Sequence, residues 1–165
     1  MSTTCGVLFI HSTPSALCPH IEWAVGGVLG MPVSFDWQAQ PAERGSYRTE
    51  YSWQAPIGTA ATLSSALKRW GRMRFEVTED RTATSDGERY SFTPTLGIFH
   101  ATTGLHGDIQ ISEDRIKSAF AQDALGRQGF AETMAELIGA PWDGELEAFR
   151  HAGDGTPVRW LHQVG

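Results

Sequence analysis

Only two cysteines, Cys5 and Cys18, stand in this chain of 165 residues. That excludes a disulfide scaffold. The pair is not expected to bridge either. Cys5 should open the first strand, and Cys18 should follow the loop beyond its far end. About seven strand residues at about 3.3 Å each put those points roughly 20 Å apart, whereas a disulfide needs Cα atoms within about 7 Å. Two free thiols packed as small hydrophobes are expected. Lysine is equally scarce, two residues against eleven arginines, and no more than two basic residues adjoin. With a formal net charge of −6, the chain is a poor partner for a nucleic-acid backbone or an anionic membrane. No apolar run approaches the ~20 residues of a membrane span. The opening "MSTTCG" lacks the basic and apolar regions of a secretion signal. The expectation is a cytoplasmic protein. Cys-x-x-Cys, His-Glu-x-x-His, P-loop and dinucleotide fingerprints are all missing, so neither a metal ion nor a cofactor is expected.

What is present suits a real core: 41% of residues are hydrophobic and six are Trp, enough for a single domain over 1–165. Val7 to Ile10 form a nearly continuous apolar run ending at His11, the pattern of a strand buried on both faces. Leu17, Ile21, Ala24, Val25 and Val28 recur at helical spacing, with Pro19 suited to the first turn and Gly30 to the stop. Val33, Phe35 and Trp37 alternate with polar residues, as do Tyr47 to Trp53 and Met73 to Val77, predicting three more strands. Leu63, Ala66, Leu67 and Trp70 mark a helix over 59–70. The order β-α-β-β-α-β is the ferredoxin-like, split βαβ pattern of an α+β fold.

A polar hinge around Ser85-Asp86-Gly87 leads to a second lobe, about 88–165. Short strands are expected near 88–93, 95–102 and 108–111. A helix capped by Ser112 should follow, then one over 130–138 that Pro141 ends. A last helix capped by Asp143 and a strand in "PVRWLHQV" close the chain. This lobe is expected to extend the first sheet or to cover its open face.

The segments "GVLFIHSTPSALCPHIEWAVG", "FEVTED", "LGIFHATTG", "EDRI", "ELEAFRHA" and "VRWLHQVG" together resemble a family of short actinobacterial proteins, domain of unknown function 3145. The resemblance runs over nearly the whole chain. It implies a cytoplasmic actinobacterial protein, in keeping with the excess of Arg over Lys. It implies no activity, cofactor or catalytic residue.

The stretch "FIHSTPSALCPHIEW" is the candidate site. In the expected fold, the end of the first strand shares one end of the sheet with the start of the first helix, the 38–46 hairpin and the 70–72 turn. His11, Ser12, Thr13, Cys18, His20, Glu43, Arg44, Arg69 and Arg72 then converge. A helix N-terminus beside arginines favours a carboxylate or phosphate. The plain alternative is local: Ser and Thr cap, Pro starts the helix, and His11 hydrogen-bonds nearby. Cys18 beside a His would be a thiolate–imidazole pair, yet no nucleophile motif surrounds it. His11, His100 and His162 each end an apolar run, and a three-His metal site needs their strands adjacent and in register. Trp37, Tyr51 and Trp53 are expected in the core, with an aromatic binding surface as the alternative, and Trp160 is expected in the core as well. The residues favour a non-catalytic binding or regulatory module for an acidic small metabolite or a protein partner. The alternative is an enzyme using Cys18 or His11.

Overall fold

A computed structural model describes residues 2–151. The chain runs β1 (Thr3–Pro14), α1 (Cys18–Leu29), β2 (Gln38–Ala39), β3 (Ser46–Pro56), α2 (Thr59–Leu67), β4 (Arg74–Glu79), β5 (Gly87–Thr93), β6 (Gly97–Thr103), α3 (Glu113–Ala124), α4 (Phe130–Leu137) and α5 (Ala140–Arg150). The strands form one sheet in the order β2-β3-β1-β4-β5-β6, antiparallel throughout. The α+β architecture expected from the sequence is thus observed. The first four strands keep the split-βαβ order, and β5 and β6 extend the sheet beyond β4.

Alternation divides the sheet into two faces. On one, Leu8, Ile10, Trp53, Phe75, Val77 and Phe92 meet Ile21 and Val25 of α1 and Leu63 and Leu67 of α2. Each such fully buried aliphatic side chain contributes about 1.5–3 kcal/mol. Gly6 admits Trp53 to this core: a Cβ there would lie 2.0 Å from the Thr78 carbonyl oxygen and 2.2 Å from the Trp53 ring. Glu79, also buried, accepts the N–H groups of Gly58 (3.0 Å) and Ala60 (2.9 Å). It thereby satisfies α2 donors that have no partner within the helix.

The other face carries Phe9, His11, Glu76, Arg89 and Ser91, and α5 lies against it through Leu146 and Arg150, both buried. The second lobe therefore both extends the sheet and covers its open face. β1 is buried on both faces from Leu8 to Thr13, as its continuous apolar run predicts. Its register shifts by one residue between Ile10 and Ser12 against β4, and between Ile10 and Thr13 against β3. This is a β-bulge, an extra residue that re-aims side chains.

Several expectations fail for identifiable reasons. Residues 33–37 are not a strand, and only Gln38–Ala39 pairs. The Glu22 carboxylate of α1 accepts the Phe35 N–H (2.8 Å) and the Trp37 Nε1–H (3.1 Å), and the Thr49 hydroxyl donates to the Asp36 carbonyl (3.1 Å). Side chains thus occupy groups a ladder would use. The strand at 108–111 reduces to one bridge, Thr103 to Ile109, made by the Gln110 N–H to the Thr102 carbonyl (2.8 Å) and the Gly104 N–H to the Asp108 carbonyl (2.9 Å). Ser112 sits at the α3 cap position with extended backbone, but its hydroxyl makes no capping bond. Pro141 does not end α4 but starts α5. Gly139, at φ 77° and against the Phe99 ring, makes the turn between them. Asp143 is not a cap but lies inside α5, paired with Arg89 and Arg150. Both cysteines are free, but Cys5 is exposed rather than packed. The closing strand, Trp160 and His162 fall outside the described residues.

Candidate functional site

The bulge in β1 turns two successive side chains, His11 and Ser12, to the α5 side of the sheet. Each meets a charged residue of β4. His11 Nε2 lies 3.0 Å from Glu76 Oε1, and Arg74 Nη1 donates to Ser12 Oγ at 3.1 Å. The carbonyl of His11, displaced from the ladder, accepts Gln40 Nε2 at 2.6 Å.

Glu76 is the centre of a buried ion network. Besides His11, its Oε1 receives Arg150 Nε at 2.7 Å, while its Oε2 receives Ser91 Oγ at 3.3 Å and faces Arg89 Nη2 at 3.7 Å. Asp143 Oδ1 bridges Arg89 (3.0 Å) and Arg150 (2.8 Å). Burial alone would push the Glu76 carboxyl up. The hydrogen bond and charge of His11, then those of Arg150, outweigh it and hold the group at about 2. Burial likewise acts to lower Arg150, but Glu76 and Asp143 hold its guanidinium above the usual value. Two carboxylates and two guanidiniums pair within this cluster, and the buried Arg89 Nε has no hydrogen-bond partner among the described residues. The network fastens α5 to the sheet, and a buried pair of this kind specifies an arrangement more than it adds net stability.

Directly beyond it, at the sheet end shared by the close of β1 and the starts of β3 and β4, lies an open depression of about 440 Å³. Arg44, Arg72 and Arg74 line it, with Glu43, Pro14 and Pro94. Arg74 is fixed: it donates to Ser12, pairs with Glu43 Oε2 at 3.2 Å, and stands 4.2 Å over the Phe149 ring of α5. Glu43 is held in turn by the Ser46 hydroxyl. Arg44 and Arg72 are exposed, and neither makes an ion pair or side-chain hydrogen bond among the described residues. A second hollow of about 530 Å³, at the opposite end of the sheet, is lined by Val7, Thr78, Arg89 and the 104–108 loop. Its charges are mixed. Glu79, Glu88 and Arg89 are committed to α2, His100 and Asp143 respectively.

The expected site residues thus part company. Arg72 joins Glu43 and Arg44, as the shared sheet end predicts. His11, Ser12 and Thr13 are buried, at 2%, 0% and 0% exposure, and none of them lines the depression. His11 lies within β1, not at its end. His20 does fall in the first turn of α1, but it is exposed and does not line the depression. Arg69 turns away, donating to the Ala66 carbonyl and covering Trp70. Cys18 makes only a long contact to the Pro14 carbonyl, and burial together with Glu22 pushes its thiol up, opposite to what a nucleophile needs. His11 and His100 cannot share a metal ion. His11 sits with Glu76, whereas His100 stacks on Tyr90 and bonds Glu88 on the other face.

Arg74 was not among the expected site residues. Its signal was available, because Arg74 and Glu76 alternate with Met73 and Phe75 and so share the face opposite the main core. The Glu76–Arg150 contact left no local trace, since 74 residues separate the partners. Residues 7–163 match the protein family described as "Protein of unknown function (DUF3145)". No curated protein and no solved structure matches the chain.

Proposed function

The chain belongs to the DUF3145 family, and for it we propose a non-catalytic binding role: recognition of the anionic group of a small acidic metabolite in the depression formed by Arg44, Arg72 and Arg74. One observation carries this reading. Three guanidiniums gather in one concavity against a single facing carboxylate, and two of them have no partner among the described residues. Like charges held together repel, and an arriving anion relieves that repulsion while gaining charge-assisted hydrogen bonds. Phe149 and Ser12 keep Arg74 in place, so little ordering is needed at that residue when a ligand arrives. The raised Cys18 thiol and the engaged, buried His11 speak for binding rather than for covalent or acid–base chemistry. With this reading go the expectations of a single-domain cytoplasmic protein of actinobacterial origin that works without a cofactor.

The test is titration calorimetry of the full chain with inorganic phosphate, sulfate and acetate at low ionic strength. Binding should be detectable for at least one anion and should fall away in Arg44→Ala and Arg72→Ala, whose exposed positions leave the fold intact. Absence of binding by all three anions, or unchanged binding in both variants, would refute the role.

A further inference from the structure

We propose that the depression selects a doubly charged anion, a phosphate monoester in its dianionic form, and that Glu43 is a built-in competitor which this ligand displaces from Arg74. The inference rests on the binding role above and adds the class of ligand and the means of discrimination.

The charge balance of the lining comes first. Arg44, Arg72 and Arg74 face one carboxylate, Glu43, so two positive charges remain uncompensated. A carboxylate ligand would neutralise one of them and a phosphate monoester dianion both. Among the described residues no histidine lines the depression, and the buried His11 is turned to Glu76. The charged groups that face a bound anion among the described residues are therefore Glu43 and the three arginines. Arginine stays charged throughout the ordinary pH range.

The second argument is geometric. Glu43 already does to Arg74 what a ligand would do. Its Oε2 lies 3.2 Å from Arg74 Nη1, while the Ser46 hydroxyl holds its other oxygen. The pair is partly open, with side-chain exposures of 23% for Arg74 and 42% for Glu43. An exposed pair of this sort is worth no more than about 1 kcal/mol and is displaceable. Arg74 would not lose its position when Glu43 leaves, because Ser12 and the Phe149 ring still hold it. A monoanion gains little by exchanging one carboxylate for another at Arg74. A phosphate dianion presents more oxygens and more charge, and can engage Arg74 together with Arg44 and Arg72. The rim prolines, Pro14 and Pro94, supply no N–H donors, and the Ser46 and Gly71 N–H groups are engaged by the Glu43 and Lys68 carbonyls.

Three anions and one variant test this. Sulfate is a dianion at pH 5.5 and pH 8, acetate is a monoanion at pH 8, and inorganic phosphate passes from mostly monoanion at pH 5.5 to mostly dianion at pH 8 as it loses its second proton. Sulfate should bind equally at both pH values. Phosphate should bind about fivefold or more tightly at pH 8 than at 5.5, the effect of one added charge about 4 Å from a guanidinium in a water-like medium. Acetate at pH 8 should bind more weakly than sulfate by a similar factor. Glu43→Gln should tighten sulfate binding by about two- to fivefold, the worth of the displaced pair. Acetate binding as tightly as sulfate, phosphate affinity unchanged across the pH range, or Glu43→Gln without effect would each overturn the selectivity while leaving the binding role standing. Binding of no anion at all would instead remove the binding role on which the inference rests.

Discussion

Replacing Arg150 with Met tests the reading of the α5 interface most directly. Met approximates the aliphatic length of Arg and removes the guanidinium that Glu76 and Asp143 share. Glu76 would then keep His11, Ser91 and the more distant Arg89 at 3.7 Å, while remaining fully buried. Removing one partner of a buried pair costs about 3–5 kcal/mol, because a desolvated charge is left behind. The Glu76 pKa speaks for the network as a whole, with His11 its largest support and Arg150 the next. Glu76 is held at about 2 instead of its ordinary 4.5, and one pKa unit corresponds to about 1.4 kcal/mol, so its ionised form contributes about 3 kcal/mol at neutral pH. The folded pKa is depressed. That stability is therefore fully present above about pH 4.5 and is lost as pH falls from there towards 2. Urea unfolding at pH 7 should show Arg150→Met less stable by about 3 kcal/mol. Its acid unfolding should begin at higher pH than in the unaltered protein, since Glu76 loses a group that keeps it ionised. The double variant Glu76→Gln/Arg150→Met should recover part of the loss, as an uncharged pair leaves no orphan charge. Stability of Arg150→Met within about 0.5 kcal/mol of the unaltered protein, or an unshifted acid limb, would refute the network as the fastening of α5.

Three further outcomes follow from single contacts. Gly6→Ala should destabilise by about 3 kcal/mol or more, the upper range for overpacking, because the new methyl meets backbone and the Trp53 ring together; an unchanged melting temperature would show that the sheet yields there. Glu22→Ala should lower stability by about 1–3 kcal/mol, the loss of hydrogen bonds to a charged acceptor, and should speed amide exchange at Phe35, whose N–H it holds. Exchange at Phe35 unaffected by the variant would mean that other contacts order residues 33–37. A thiol reagent at pH 7.5 should modify exposed Cys5 first and Cys18 slowly, and Cys5→Ser should abolish the fast phase. A fast phase that survives Cys5→Ser would show Cys18 to be reactive after all.

The sequence by itself determined the elements whose burial is periodic. The apolar run Val7 to Ile10 predicts a strand covered on both sides, and β1 is that strand. The spacing of Ile21, Ala24 and Val25 predicts the buried side of α1. Alternation through Tyr47–Trp53 and Met73–Val77 places β3 and β4, and the split-βαβ order brings the 38–46 and 70–72 turns to one end. Arg44 and Arg72 were legible as neighbours on that ground alone. What the tertiary structure decided was how isolated polar side chains are used. Glu22 takes the hydrogen bonds that would have made residues 33–37 a strand. A one-residue bulge sets Ser12 beside Arg74, on the face that His11 already shares with Phe9. Glu76, read along its strand, is simply the polar partner of an alternation; only the arrival of α5, 74 residues later, makes it a buried carboxylate facing Arg150. Periodicity records burial because a helix or strand repeats its contact with a core every few residues. A single ion pair between distant segments repeats nothing, so no local pattern announces it, and it exists only once the chain has folded.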